Sequence, residues 1–266
     1  MTPVATQLHP LSAFLRPWLD AVAPDIPALN AAARERRLVT GGGAQLSFVA
    51  PPAVAEGYEE RAFLAGEVAT RPDNRHDLFN ALIWLALPQT KAALNRRHFA
   101  AIGAARQQGS AARGPLRDAL TQFDECGVVV AGCCPDLWRA LRGHRWSEVF
   151  VARRAELLSS TRFLVFGHAS HDALGAPFAG LCGKAMFVEV DEPWLKLPGT
   201  EALAALDVRL ASAFDTRNFS PRDWQPLPLL GIPGATADNE RADYYTDTRQ
   251  FRPARTMRPG SSPGNR

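Results

Sequence analysis

RPDNRHDLFNALIWLALPQTKAALNRRH, Arg71 to His98, decides the fold and marks a candidate site in one reading. Asp73 or Asn74 caps a helix whose body runs from about His76 to Ala86, and Pro88, suited to a first helical position, begins another. The first helix is apolar almost all round through Leu78, Phe79, Leu82, Ile83, Trp84 and Leu85, which places it in the interior. It also carries His76, Asp77 and Asn80. In the second helix Lys91, Asn95 and His98 fall at i, i+4 and i+7 and share a stripe. Burying such groups without partners costs free energy, so a hydrogen-bond network, a ligand or a metal must satisfy them.

Outward from this pair, the amino-terminal side reads as helices broken by Pro17, Pro24 and Pro27, with Ala28 to Arg37 rich in good helix formers. Gly41 to Gly43 ends it as a turn, because the Lys and Ser or Thr of a phosphate loop do not follow. Gln45 to Ala50 alternates toward a strand, and Tyr58 to Val68 reads as a helix anchored by Phe63 and Leu64. On the other side, Leu116 to Phe123 is helical. Val128, Val129 and Val130 then make Gly127 to Ala131 a buried strand. Asp136 to Arg142 and Trp146 to Leu158 are amphipathic helices, and Phe163 to Phe166 and Lys184 to Val190 are strands. Glu201 to Phe214 is a helix capped by Thr200, with Leu203, Leu206, Leu210 and Phe214 inward. From Pro221 onward, Pro221, Pro226, Pro228 and Pro233 with Gly231 and Gly234 argue for an extended strap anchored by Leu227, Leu229, Leu230, Ile232, Tyr244, Tyr245 and Phe251.

The expected architecture is α+β: a helix-rich single domain over residues 1–253, built around a small mixed sheet drawn from segments near Gln45, Val128, Phe163 and Met186. The Pro-rich C-terminal strap crosses it. Residues 254–266 have little to bury and are expected to be disordered.

With 266 residues and 46% hydrophobic content the chain buries a substantial core. The longest apolar stretch, Ala81 to Leu87, is far short of the roughly 20 residues of a membrane span, and no secretory signal is legible, so the default compartment is the cytoplasm. Cys126, Cys133, Cys134 and Cys182 form no CxxC pair and read as buried or idle thiols. The net charge of +3 includes Arg252, Arg255, Arg258 and Arg266 of an acid-free tail, and without them the chain is close to neutral. A nucleic-acid-binding face is therefore not indicated, and Arg96, Arg97, Arg142, His144 and Arg145 read as a solvated surface.

Several segments resemble a bacterial family known as domain of unknown function 3025. They are HDLFNALIWLALPQTKAALNRRH at His76 to His98, FDECGVVV at Phe123 to Val130, GHA at Gly167 to Ala169, PLPLLGIPG at Pro226 to Gly234, and FRP at Phe251 to Pro253. In the expected order, they cover most of the chain between about Tyr58 and Pro253. The resemblance carries no reaction. Against the family's pattern the chain has Ala235 and Thr236 where a bulky aromatic is usual, and Asp172 where Glu is usual.

The candidate catalytic residues are His76, Asp77, Asp124, Glu125 and His168, and the candidate ligand-binding residues are Asn80, Lys91, Asn95 and His98. Histidines and carboxylates supply the nitrogen and oxygen donors of a divalent metal, although no HExxH, HxH or DxD spacing assigns one. His76 and His168 are the candidate ligands or bases, Asp124 or Glu125 the activator of water, and Lys91 the anion binder. The functional expectation is a hydrolase of a small molecule or phosphoester, with or without a metal. The competing expectation is a non-catalytic binding or scaffold protein whose polar residues form a structural hydrogen-bond network. His168 follows a strand, while His171 is expected at the surface. No GxSxG elbow or GxGxxG loop supports nucleophilic or dinucleotide chemistry.

Overall fold

Val128, Val129 and Val130 are all fully buried because helices and loops cover both faces of the strand that carries them. The structure, a computed structural model, describes residues 8–22, 25–51, 57–110 and 112–254. The tail expected to be disordered lies outside these residues, apart from Ala254.

After a 3-10 turn at Pro10–Leu15, the elements are α1 (Arg16–Ala21), α2 (Ile26–Glu35), β1 (Ser47–Val49), α3 (Tyr58–Ala65), β2 (Glu67–Ala69), α4 (Arg75–Ala86), α5 (Pro88–Gln107) and α6 (Gly114–Cys126). Next come β3 (Gly127–Gly132), α7 (Pro135–Arg142), α8 (Arg154–Ser160), β4 (Thr161–Val165), α9 (His168–Ala173) and β5 (Cys182–Glu189). The chain closes with α10 (Glu192–Leu195), α11 (Gly199–Thr216) and β6 (Gln225–Pro228). Among the described residues no helix is long and apolar enough to cross a membrane.

Four strands form the main sheet in the order β4-β3-β5-β6, with β3 parallel to β5 and the outer pairs antiparallel. Strand alternation sends Val129, Ala131 and Met186 toward Phe123, Phe166 and the inner faces of α4 and α11. It sends Val128, Val130, Val165 and Ala185 toward Leu137, Leu141, Phe150 and the carboxy-terminal segment. The fold is thus a helix-rich α+β domain around small mixed sheets.

The α4–α5 pair follows the sequence closely. Asn74 caps α4 by accepting a hydrogen bond from the Asp77 backbone N–H at 2.9 Å, ten of its twelve residues are buried, and Pro88 opens α5. Asp207 of α11, which the sequence did not single out, caps α5. It accepts from the backbone N–H groups of Gln89 at 3.0 Å and Thr90 at 2.8 Å, a favourable place for a carboxylate.

Several expectations need correction. Gln45 is outside the main sheet: it makes only an isolated bridge to Val39, and the strand beyond it pairs with β2 in a separate two-stranded parallel sheet. The helix from Tyr58 ends at Ala65 because Gly66 adopts a left-handed conformation, φ 74°, and β2 begins at once. Of its two expected anchors Phe63 stacks on Phe99 of α5 with ring centroids 3.9 Å apart, whereas Leu64 is exposed and Ala62 is the fully buried residue. The helix read over Trp146 to Leu158 is a π-helical turn, Glu148–Ala152, followed by α8. Thr200 is not a cap, since α11 starts at Gly199 after Pro198. The carboxy-terminal strap is less extended than its prolines imply. It forms β6 on the sheet edge, where Pro226 and Pro228 forfeit no interior ladder bond, and a series of 3-10 turns. Six of its seven expected anchors are buried and Tyr244 is half-buried.

Candidate functional site

The α6–β3 junction, the start of α4 and the start of α9 meet at one wall of an open cleft of about 1050 Å³. Glu125 and Asp124 lie in the last turn of α6, which passes into β3 without a loop. His76 lies in the first turn of α4, and His168 is the first residue of α9. Gly167 lets these elements touch. A Cβ there would stand 2.5 Å from the Cys126 Cα and closer still to the Glu125 carbonyl oxygen, so only glycine permits this approach. Gly167 also donates its backbone N–H to the Gly127 carbonyl at 2.9 Å, and Asp172 pairs with Arg75 at 3.2 Å, fastening α9 to α4.

His168 Nε2 lies 3.3 Å and His76 Nε2 3.8 Å from the same Glu125 oxygen, Oε2. The two imidazole rings meet edge to face with centroids 4.5 Å apart. One ligand atom from each of the three side chains falls within a 4.8 Å span. The His76 and Glu125 side chains are 35% and 39% exposed, whereas His168 is 6% exposed. Burial pushes the His168 imidazole down to about 4 against the opposing pull of Asp124, so it is neutral with a lone pair to offer. Burial and then the Asp124 charge raise the Glu125 carboxyl above its ordinary value.

Behind this wall is a closed polar network. Lys91 Nζ donates to Asp124 Oδ1 at 2.6 Å and to Asn80 Oδ1 at 2.9 Å, and Asn80 Nδ2 donates to the Tyr58 hydroxyl at 3.0 Å. Burial works to raise the Asp124 pKa and to lower that of Lys91. The mutual attraction outweighs it in both, holding Asp124 below and Lys91 above their usual ranges. The second Asp124 oxygen lies 3.8 Å from His168 Nδ1.

Seven of the nine sequence-derived candidates line the cleft; Lys91 and Asn95 do not. Lys91 is turned inward onto Asp124. Asn95 donates to Glu59 Oε2 and to the Glu59 carbonyl, both at 2.9 Å, and accepts from the Gly41 N–H at 3.2 Å, which pins the glycine turn to α5. Asp77 lines the rim but is committed to Arg71, whose backbone and side chain donate to it at 2.8–2.9 Å. His98 faces Glu59 at 3.8 Å, and burial lowers its pKa to about 4. His171, expected at the surface, is buried: its Nε2–H donates to the Val165 carbonyl at 3.0 Å, and its Nδ1 accepts from the Ser12 hydroxyl at 2.7 Å.

Sequence reasoning missed Tyr58, Glu59 and the arginines of the cleft. Glu59 and Glu60 are adjacent acids in the first turn of α3, where both suit the helix dipole. Only the tertiary fold buries Glu59, pushing its carboxyl up to about 7, while Glu60 remains paired with Arg106. Arg113 precedes α6 and Arg117 lies in its first turns, and nothing in the local sequence marks either as a cleft residue.

The family described as "Protein of unknown function (DUF3025)" matches residues 46–255, and the chain belongs to this family. No curated protein and no solved structure matches it.

Proposed function

We propose that the chain is a hydrolase of a small molecule or phosphoester, working with a divalent metal ion held by His76, Glu125 and His168. The observation that carries this reading is the convergence of two imidazole nitrogens and one carboxylate oxygen at the wall of an open cleft. Donor atoms about 2.0–2.2 Å from one tetrahedral ion lie about 3.3–3.6 Å apart. The two distances to Glu125 Oε2, 3.3 and 3.8 Å, match that spacing to within a few tenths of an ångström. Two histidines and one carboxylate also leave coordination positions open toward the cleft.

In this reading Asp124, 3.8 Å from a His168 Nδ1 that makes no hydrogen bond, acts on the ring through its charge and favours the Nδ1–H tautomer, which leaves Nε2 free for the ion, and Lys91 with Asn80 holds Asp124 in place. The bound ion would supply a water of lowered pKa and polarise the oxygen of the scissile group. His76, Glu125 and His168 would fix the ion, and the cleft would orient the substrate against it.

The competing reading, a non-catalytic binding protein, draws on the Tyr58–Asn80–Lys91–Asp124 network, which is satisfied internally. It treats the contacts of Glu125 with His168 at 3.3 Å and with His76 at 3.8 Å as ion pairs alone, and gives no reason for all three side chains to converge at the wall of an open cleft. Metal analysis of the purified chain, with thermal melting before and after chelation and on adding back zinc, manganese or ferrous iron, tests the proposal together with turnover of p-nitrophenyl phosphate esters. An ion at 100 times its Kd stabilises the folded state by about 2.7 kcal/mol, a shift of several degrees. No bound ion, no shift and no turnover overturns the reading. Ion binding without turnover of any ester favours the binding protein.

A further inference from the structure

Four arginines reach the cleft, and three are engaged. Arg71 is paired with Asp77, Arg106 with Glu60, and Arg113 with Asp118 and the Thr121 hydroxyl. Arg117 is different. It has no ion pair and no hydrogen bond among the described residues, and its half-buried side chain hides an Nε that no acceptor meets. A buried donor without an acceptor costs free energy, and a guanidinium is the side chain best shaped to grip a phosphate or carboxylate through two parallel hydrogen bonds.

The carboxylates within reach do not fill this role. Glu60 is neutralised by Arg106, and burial lifts Glu59 to about 7, so it is only partly charged near neutral pH. Arg117 therefore feels the Glu59 and Glu60 carboxyls only through space and is gripped by neither, a cation without a direct partner in a concave site. Its place on α6 also sets a length. Arg117, Thr121 and Glu125 follow at i, i+4 and i+8 along one face, and all three line the cleft. Eight residue steps along the α-helix carry the backbone about 12 Å from Arg117 to Glu125.

We propose that Arg117 is the anion-binding residue of the cleft and selects a substrate that carries a phosphate or carboxylate roughly one nucleotide's length from the bond presented to His76, Glu125 and His168. The substrate class is then an elongated small molecule with a remote anionic end, and α6 is the ruler between that end and the reacting group. This deepens the hydrolase reading and rests on it for the second end of the molecule. The anion site itself stands on Arg117 alone.

The test uses the full chain after chelation, so that anion binding is read without the metal. Titration with inorganic pyrophosphate at low ionic strength, followed by calorimetry, compares the wild type with R117A, R117K and R139A, the last removing an exposed arginine away from the cleft. Losing a charge-assisted pair of hydrogen bonds is expected to weaken binding about ten- to a hundredfold in R117A. R117K should recover part of it, and R139A should match the wild type. Cobalt binding, followed by absorbance, should be unchanged in R117A. Pyrophosphate binding that is equal in wild type and R117A, equally weakened in R139A, or absent from the wild type overturns the anion site. If R117A fails to fold, R117K carries the comparison, and binding equal to wild type in R117K together with R117Q overturns it. Loss of pyrophosphate binding in R117A with no cobalt bound by any variant keeps the anion site and removes the hydrolase reading instead.

Discussion

Replacing Lys91 with Met tests whether the buried ion pair behind the cleft wall holds the site together. Lys91 is 3% exposed and Asp124 16%, and the 2.6 Å contact between them is accompanied by the Lys91–Asn80 hydrogen bond at 2.9 Å. Met keeps the apolar stem over Trp84, which the Lys91 ammonium approaches at 5.3 Å from the ring centroid, so the loss is mainly electrostatic. Removing one partner of a buried pair leaves an uncompensated charge and costs about 3–5 kcal/mol. For a chain of this size that lowers Tm by about 6–20 °C. Asp124 is held below its ordinary pKa, so its contribution is present above about pH 4 and lost only as pH falls through the folded value. Lys91 is held above its own, so its contribution is present below about pH 10 and lost only as pH rises through the folded value. The defect of the variant should accordingly be flat across neutral pH. Urea denaturation at several pH values measures it, and adding Asp124→Asn should restore part of the loss because the stranded charge is gone. A Lys91→Met chain within about 1 kcal/mol of wild type, or a double variant as unstable as the sum of the singles, would refute the pairing argument.

Gly167→Ala should cost about 1–3 kcal/mol and abolish cobalt binding, because the added methyl separates His168 from Glu125; retention of both stability and cobalt affinity rules out the close approach as the site's organiser. His171, pushed by burial down to about 3, stays neutral in the folded chain while the unfolded chain takes up a proton near pH 6.5. Stability therefore falls as pH drops from 6.5 toward 3, and His171→Gln should reduce that slope by about one proton, as read from unfolding free energies against pH; an unchanged slope contradicts the buried tautomer. Glu59 works in the opposite direction. Its folded pKa of about 7 lies above the ordinary 4.5, so stability falls as pH rises between those values, and Glu59→Gln should gain on the wild type by about 3 kcal/mol at most across that window. Equal pH profiles for the two chains would show that Glu59 is solvated.

The sequence by itself determined the α4–α5 pair, the buried strand and the helix-rich α+β class, because these depend on local order: Asn74 before an apolar run, Pro88 at a helix start, three valines in succession. It also picked out the side chains that later share the cleft, since His76, Glu125 and His168 are polar groups inside apolar surroundings. It misplaced Gln45, Leu64 and His171, because a strand's partner, a helix's buried face and a histidine's cover all come from segments far away in the chain. The division of labour within the site was likewise a tertiary decision. Lys91 and Asp77 were expected to face a ligand, yet one is sealed against Asp124 and the other is held by Arg71. Glu59 and Arg117 gave no local signal at all. Burial and charge pairing act through space, and the 42 residues between Glu125 and His168 acquire chemical meaning only when Gly167 lets the two backbones touch.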